Sequence, residues 1–264
     1  RFVDPAKVHP IAHRGKHFSV HGPHNVPRPP QGHPVLVQAG GSDDGRELAA
    51  QHAEAVFSAS QSFDEALDYA WDLRTRAVRY GRAPNSALIL AGLATIIGST
   101  EAEAKRRQEE LRELIPLEYS LARLSGVLQI DPKRLKLDEP LPDDIPLPPD
   151  GGHTFFRATL ALAQREKLTV RGLIRALNGG TGHRTIVGTP EAIADDIEAW
   201  YLAGAADGFN LMPDVLPHGL EVFVDEVVPL LRRRGLFRQA YSGHTLRDHL
   251  GLARPANPYA IAAE

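Results

Sequence analysis

The chain has 264 residues, a hydrophobic fraction of 42% and a formal charge of −3 at pH 7, enough for one large domain or two small ones with a buried core. The charge argues against nucleic acid as a partner, because binding to a phosphate backbone requires a basic excess. No apolar run approaches the ~20 residues that cross a bilayer, and the absence of cysteine excludes disulfides, thiolate nucleophiles and zinc–thiolate sites.

Residues 1–33 are rich in histidine, proline and glycine and lack a helical period, which predicts an irregular or hairpin segment. Four histidines recur at every fourth position, a spacing that on a helix could bind a metal. These are His9, His13, His17 and His21. Pro10 and Gly15 argue against a helix and no acidic ligand is interleaved, so we expect solvated loop histidines and no metal site.

The most informative segment is residues 34–45. A short apolar run, 34–37, stops at a turn of glycines and small polar residues, and a helix-like segment, 46–53, follows. This order predicts a strand, a tight turn and a helix start. Backbone N–H groups in such a turn converge beside the positive end of the helix dipole, so the turn is suited to bind an anion, most often phosphate.

Two interpretations of this turn remain open. In the first, the turn holds phosphate, Gly40 and Gly41 allow close approach and Ser42 contributes its hydroxyl. In the second, it is an ordinary strand-to-helix loop in which Asp44 is the N-cap and Glu47 completes a capping box. Because ligands of parallel α/β proteins bind at the carboxyl ends of strands, where this turn lies, we favour phosphate.

Strands and helices alternate along the rest of the chain. Ser62 and Thr100 each precede a glutamate by three residues, the spacing of a capping box at a helix start, and Thr189 before Pro190 marks another start. The predicted strands are 54–59, 87–97 and 207–213, and the predicted helices are 62–80, 100–115, 154–166, 189–203 and 220–231, the last kinked or restarted at Pro229. The alternation predicts a parallel α/β sheet, either doubly wound or part of a (β/α)₈ barrel, because only four convincing strands are found.

Residues 116–185 break this rhythm. Near the end of this stretch, residues 178–184 contain three glycines in five residues, with His183 and Arg184 at the edge. One interpretation is a lid that brings His183 or Arg184 to an anionic ligand, and the commoner alternative is a flexible connector. Spacing alone identifies no nucleophile, since GxSxG, Walker and GxGxxG motifs are absent.

Three segments, 13–50, 187–213 and 234–255, together resemble one family. They are similar to the flavin-dependent monooxygenases of the bacterial-luciferase-like superfamily, in the branch of nitrilotriacetate monooxygenase component A, pristinamycin synthase and dibenzothiophene-sulfone monooxygenase. The resemblance spans nearly the whole chain and is closest at its two ends. It implies a TIM-barrel enzyme that inserts one oxygen atom from O₂ into a small organic substrate. The reduced FMN would come from a separate NAD(P)H-dependent flavin reductase.

The resemblance also implies roles for particular residues. The turn after the predicted first strand matches the FMN-phosphate loop after strand five, and the strands near Val56, Ile89 and Phe209 match strands six, seven and eight. The implied cofactor-binding residues are Gln38, Ala39, Gly40, Gly41 and Ser42. The glycine-rich segment matches the mobile active-site loop of the superfamily, which makes Asn178, His183 and Arg184 the candidate lid residues.

On this basis we expect one partial TIM-barrel domain over 1–264, the C-terminal half of a (β/α)₈ barrel. Strands five to eight would be present, with a helical excursion, 116–185, between the last two strands and a C-terminal arm at 238–264. We expect the chain to be a piece of a longer, cytoplasmic, homo-oligomeric protein. Without four earlier strands that contact the isoalloxazine ring, the isolated polypeptide should bind FMN weakly and not turn over.

Two other classes of function stay open. The first is a non-catalytic flavin- or phosphate-binding or structural protein derived from the same barrel. The second is an unrelated phosphate-binding TIM-barrel isomerase or aldolase, which would need a catalytic lysine or glutamate at a strand end. The four predicted strands offer neither residue, which counts against the second class.

Overall fold

The structure, a computed structural model, describes residues 2–149, 153–177 and 183–257. The chain divides into two compact units, the first formed by Arg1–Val35 with Tyr241–Glu264 and the second by Leu36–Ala240. Among the described residues, no helix combines the length and the apolarity needed to cross a membrane.

The first unit joins the two ends of the chain. Its N-terminal part contains the antiparallel strands β1, His13–Arg14, and β2, Ser19–Val20, which confirms the predicted hairpin character. A short helix, Leu246–His249, lies in its C-terminal part. Within that helix Arg247 is 1% exposed and donates to the carbonyl of His33 at 3.1 Å, so a buried guanidinium ties the two segments together.

The second unit is built on a parallel sheet of five strands. They are β3, Val37–Ala39; β4, Ala55–Ser58; β5, Leu88–Ile97; β6, Arg184–Gly188; and β7, Gly208–Pro213. β4 pairs with β3 and β5, and β5 also pairs with β6 and β7, all in parallel. The predicted parallel α/β sheet is confirmed, and β3, β4, β5 and β7 are the four predicted strands.

β6 is a fifth strand that the sequence analysis did not predict. Leu93 pairs with both β6 and β7, and Leu90 pairs with both β4 and β7, so β4 and β6 share one edge of β5. β6 therefore begins just beyond the carboxyl end of β4. The ten-residue length of β5 creates this pairing edge, a non-local cause that the five residues of β6 do not reveal by themselves.

The helices follow the strands in the predicted order. They are α1, Asp43–His52; α2, Phe63–Arg79; α3, Glu101–Glu113; α4, Leu117–Leu128; α5, His153–Arg165; α6, Val170–Ala176; α7, Pro190–Leu202; α8, His218–Val222; and α9, Val228–Arg233. A π-helical turn, Phe223–Val227, joins α8 to α9. Pro229 lies in the first turn of α9, and its missing N–H interrupts the hydrogen-bond ladder at the predicted place.

Three helix starts were predicted at the correct cap, and one alternative for a fourth is wrong. The side chains of Ser62, Thr100 and Thr189 each accept the N–H three residues later and cap α2, α3 and α7. The alternative that made Asp44 the cap of α1 is wrong, because Ser42 holds that position and Asp44 lies inside the first turn. A serine and an aspartate two positions apart are both good caps, so local propensity alone does not choose between them.

One face of β5 packs against helices. Every fourth residue of it is buried there, Ile89 in a core with α1 and α2, and Leu93 and Ile97 in a core with α7 and α9. Buried residues of α4, α5 and α6 form a separate core. At the β3 edge Val37 is 62% exposed.

Candidate functional site

A cavity of about 310 Å³ opens where β3 and β4 end. The turn after β3 and the start of α1 form one side of it, the end of β4 and the start of α2 form another, and α5 and the start of β6 complete it. The lining residues are Ala39, Gly40, Gly41, Arg46, Phe57, Ser58, Ala59, Ser60, Glu65, Tyr69, Phe155 and His183. The carboxyl ends of parallel strands are where α/β proteins bind ligands, so this is the candidate site.

The turn after β3 has the architecture of an anion-binding loop. Gly40 and Gly41 line the cavity, and the first turn of α1 starts immediately after Ser42. The Ser42 hydroxyl accepts the N–H of Gly45 at 3.1 Å, so Ser42 caps α1 at the exposed rim of the turn. The positive end of the α1 dipole therefore points toward the glycines.

Gln38 supports the turn from behind. It pairs with Val56, which pairs with Ile89, so its side chain lies on the helix-covered face of the sheet. A Cβ added to Gly40 would lie 2.9 Å from Gln38 Nε2, so the Gln38 amide would have to move to admit a side chain at position 40. Gln38 Oε1 is buried and has no hydrogen-bond partner among the described residues. Of the predicted cofactor residues, Ala39, Gly40 and Gly41 face the cavity, whereas Gln38 backs the turn.

Arg46 brings a positive charge to this end of the cavity, and the sequence analysis missed it. It lies one helical turn after Ser42, and its Nε donates to the Gly41 carbonyl at 3.1 Å. Its Nη1 donates to Asp72 Oδ2 on α2 at 2.8 Å. The guanidinium carbon is also 4.8 Å from the centroid of the Tyr69 ring. The sequence does contain a signal for this role. Arg46 lies four residues after the helix cap Ser42, and a long side chain at that position can reach back to the turn.

Tyr69 was also missed and is a buried polar residue in the wall of the cavity. It is 5% exposed, and its hydroxyl has no hydrogen-bond partner among the described residues. Burial raises the pKa of Tyr69 to about 12, although the charge of Arg46 opposes that shift. The phenol therefore stays protonated at physiological pH and keeps an unused hydrogen-bond donor beside the cavity.

The other end of the cavity is aromatic. The imidazole of His183 stacks on Phe57 with ring centroids 5.0 Å apart and meets Phe155 edge-on at 6.0 Å. Its Nδ1 is buried without a hydrogen-bond partner among the described residues, and burial lowers the pKa of His183. A Cβ on Gly92 would lie 2.4 Å from this Nδ1, so the imidazole occupies space that only a glycine leaves free. His183 is thus a neutral polar group in an apolar wall.

Arg184 lies elsewhere. Successive side chains of a strand point to opposite faces, and Arg184 pairs with Asp196 of α7 at 2.6 Å while its guanidinium carbon is 3.9 Å from the Trp200 ring centroid. Its side chain is 11% exposed. Of the three candidate lid residues, His183 lines the cavity and Arg184 packs behind the sheet. Asn178 and the rest of the glycine-rich segment, 178–182, lie outside the described residues.

Comparison with known proteins gives a consistent result. A family model described as Luciferase-like monooxygenase matches residues 7–207. Nitrilotriacetate monooxygenase component A of Aminobacter aminovorans is 48% identical over 255 residues, which are 96% of this chain and 56% of that protein. N-acetyl-S-(2-succino)cysteine monooxygenase of Bacillus subtilis is 42% identical over 260 residues, which are 98% of this chain and 59% of that protein.

Among solved structures, DmoA from Hyphomicrobium sulfonivorans has a TM-score of 0.79 and 36% identity, over 92% of this chain and 51% of that one. The chain therefore spans little more than half the length of the relatives it matches.

Proposed function

The chain belongs to the luciferase-like monooxygenase family, and from this premise we propose that it holds the phosphate end of reduced FMN in an enzyme that oxygenates a small organic molecule with O₂. The observation that carries the proposal is the cavity at the ends of β3 and β4. It combines the Gly40–Gly41 turn at a helix N-terminus, the Arg46 guanidinium and the unpartnered Tyr69 hydroxyl.

These groups fit a phosphate monoester. Main-chain N–H groups of a glycine turn bind phosphate oxygens, and a guanidinium offsets their charge. The buried Tyr69 hydroxyl, which has no partner among the described residues, gains an acceptor when an anion enters. The predicted roles of Ala39, Gly40, Gly41 and Ser42 are retained in the proposal, Ser42 as a hydroxyl at the rim, while Gln38 supports the turn.

The aromatic end fits the less polar part of the same cofactor or the substrate beside it. Phe57, Phe155 and neutral His183 provide a wall that excludes water, as oxygen chemistry requires. Reduced FMN, when bound, supplies the two electrons with which one atom of O₂ enters the substrate and the other leaves as water. The residues described here bind, orient and shield, which is consistent with a site that has no acid–base dyad.

The electrons would come from a separate protein. The relative from Aminobacter aminovorans is named as a component A, which indicates an enzyme of more than one component. We infer that an NAD(P)H-dependent flavin reductase supplies reduced FMN to this chain as well. Because NAD(P)H is a cytoplasmic reductant, the same proposal places the protein in the cytoplasm, as a homo-oligomer when the barrel is complete.

The proposal extends to the shape of the complete enzyme. The chain would supply strands five to eight of a (β/α)₈ barrel, with β3 as strand five and β7 as strand eight. Residues 116–183 would be an excursion from the barrel, because the chain re-enters the sheet with β6 at Arg184, and 238–264 would be an arm. The exposed Val37 on the β3 edge and the share of the relatives' length that is covered support this view.

Turnover of the complete product of the reading frame tests the function. The protein would be combined with a flavin reductase, NADH, FMN and ¹⁸O₂, and offered nitrilotriacetate and N-acetyl-S-(2-succino)cysteine as first substrates. We expect FMN-dependent incorporation of one ¹⁸O atom into an accepted substrate. A protein that does not bind FMN and transfers no ¹⁸O to either substrate would contradict the proposal and favour a structural role.

A further inference from the structure

An ion-pair network fills the space between α1 and α2 behind the candidate phosphate site. Arg76 on α2 donates to Asp72 at 2.9 Å, to Glu47 at 2.7 Å and to Asp43 at 3.0 Å. The other oxygen of Asp72 accepts from Arg46 at 2.8 Å. Asp72 therefore links the cavity arginine to an arginine that is 16% exposed and surrounded by carboxylates.

This network fixes the direction of Arg46. The Arg46 guanidinium is held at three points, by the Gly41 carbonyl, by Asp72 and by the face of Tyr69. A guanidinium has five N–H donors, and the described residues engage two of them. The remaining donors belong to a side chain that lines the cavity and is 28% exposed, where charge–charge attraction is stronger than in bulk water.

The network also controls the charge that a ligand would meet. Asp43, Glu47 and Asp72 carry three negative charges close to the start of α1, and unpaired they would repel an anion. Arg76 bonds all three, and the hydrogen bond and charge of Asp72 raise its pKa. Arg46 is thereby left with one carboxylate partner, which orients it from the side away from the cavity.

We propose that Arg46 is the counter-charge and Tyr69 the neutral donor for a phosphate monoester dianion, and that Asp72, held by Arg76, is the positioning residue for Arg46. The inference rests on the proposed function and adds to it the groups that distinguish FMN from a flavin without phosphate. Neither Arg46 nor Tyr69 lies in the glycine turn, so recognition of the phosphate extends across α1 and α2.

The test compares affinities for FMN and for riboflavin, which lacks the phosphate, in the complete product of the reading frame. Flavin fluorescence quenching would give Kd for the parent protein, Arg46→Gln, Tyr69→Phe, Asp72→Asn and Asp72→Glu. Arg74→Gln is the matched control, because Arg74 is also on α2 and pairs with Asp207, but does not line this cavity.

We expect Arg46→Gln to weaken FMN binding about tenfold to a hundredfold, the range for hydrogen bonds to charged groups, and to leave riboflavin binding within about twofold. Tyr69→Phe should weaken FMN binding about threefold to tenfold. Asp72→Asn should reduce the preference for FMN over riboflavin several-fold, and Asp72→Glu should restore part of it. If Asp72 had only a structural role, Asp72→Asn would weaken the binding of FMN and riboflavin by the same factor.

The outcomes separate this inference from the proposed function. If the parent protein binds riboflavin as tightly as FMN, the phosphate contributes nothing to binding and the proposed phosphate site is wrong. A parent protein that prefers FMN, with Arg46→Gln retaining the full preference, would overturn only the role of Arg46. If Arg46→Gln fails to fold, Arg46→Lys decides the question, because lysine keeps the charge but loses the guanidinium that Gly41 and Asp72 hold in place. It should prefer FMN over riboflavin less than the parent protein does, and an unchanged preference would overturn the role of Arg46.

Discussion

Two strand–helix units of the sheet show why a helix N-terminus by itself does not make a binding site. β3 leads into α1 and β6 leads into α7, and each helix is capped by a hydroxyl side chain, Ser42 and Thr189. Three residues, 40–42, separate β3 from α1, whereas Thr189 alone separates β6 from α7. The longer turn places Gly40 and Gly41 in the lining of the cavity. The shorter turn contributes no lining residue, and Pro190 has no N–H to offer.

The arginines of the two units reinforce the difference. Arg46 reaches back from α1 to the turn and lines the cavity, and Arg184 points from β6 onto Asp196 and Trp200. The first unit thus combines a turn, a dipole and a cation at one point. The pair of β6 and α7 contributes only His183, the residue before β6, to the aromatic end of the cavity.

The largest effect is expected in the strand–helix pair of β6 and α7. Asp196→Asn removes the counter-charge of a guanidinium that is 11% exposed, and should lower the free energy of unfolding by about 3 kcal/mol. Urea unfolding would measure it, with Glu101→Gln at an exposed ion pair as the control. Because Arg184 is behind the sheet, the preference for FMN over riboflavin should not change. A changed preference for FMN over riboflavin would show that Arg184 takes part in the binding site.

The two caps allow a matched comparison. Ser42→Ala and Thr189→Ala should each lower the free energy of unfolding by about 1 kcal/mol, the usual value for a lost N-cap. Ser42→Ala alone should also weaken FMN binding, by roughly 1.5–3 kcal/mol for a hydrogen bond to a charged group. Equal FMN dissociation constants for the two variants would show that the Ser42 hydroxyl serves the helix only.

The position of His183 depends on the bare backbone of β5. In Gly92→Ala the new Cβ would lie 2.4 Å from His183 Nδ1 and 3.0 Å from Phe57 Cε2, so the aromatic wall must shift. We expect a loss of about 1.5 kcal/mol in urea unfolding, as for an overpacked core. Gly126→Ala on α4 has no neighbour within 4 Å and should be neutral or stabilising. An unaffected Gly92→Ala protein would contradict the packing of His183 on β5.

An effect close in size to that of Gly92→Ala is expected at alkaline pH. A tyrosine ionises near pH 10 in the unfolded chain and Tyr69 at about 12 in the fold, so the folded state retains the proton longer and stability falls as the pH rises above 10. At pH 11 the loss is about 1.4 kcal/mol. Tyr69→Phe should lack this loss between pH 8 and pH 11, whereas Tyr201→Phe, at an exposed position, should retain it. Parallel pH dependences of the parent protein and Tyr69→Phe would show that the phenol is not buried.

What the sequence predicted is what local chemistry determines. The caps at Ser62, Thr100 and Thr189 and four of the five strands follow from residues adjacent in the chain. β6 was missed because its pairing partner, β5, lies about 90 residues earlier and sets its register. Arg184 was a candidate ligand contact because it follows a glycine-rich segment. The residue that determines the direction of its side chain is Asp196, which lies on the following helix, α7.

The candidate site was predicted in the same uneven way. The pattern of the glycine turn lies within one short segment, so Gly40 and Gly41 could be identified from sequence. Arg46 and Tyr69 belong to the site because α1 and α2 pack side by side, and no local pattern records that packing. Identifying Arg46 and Tyr69 in the proposed phosphate site therefore required the fold, whereas identifying the glycine turn did not.

The ratio of the dissociation constants for riboflavin and FMN in the complete product of the reading frame tests the central claim most directly. The two flavins differ only in the phosphate that the unit of β3 and α1 is proposed to bind. We predict that FMN binds at least about tenfold more tightly, and that Asp196→Asn keeps this preference while Arg46→Gln loses it. Equal affinities for the two flavins in the parent protein would contradict the account.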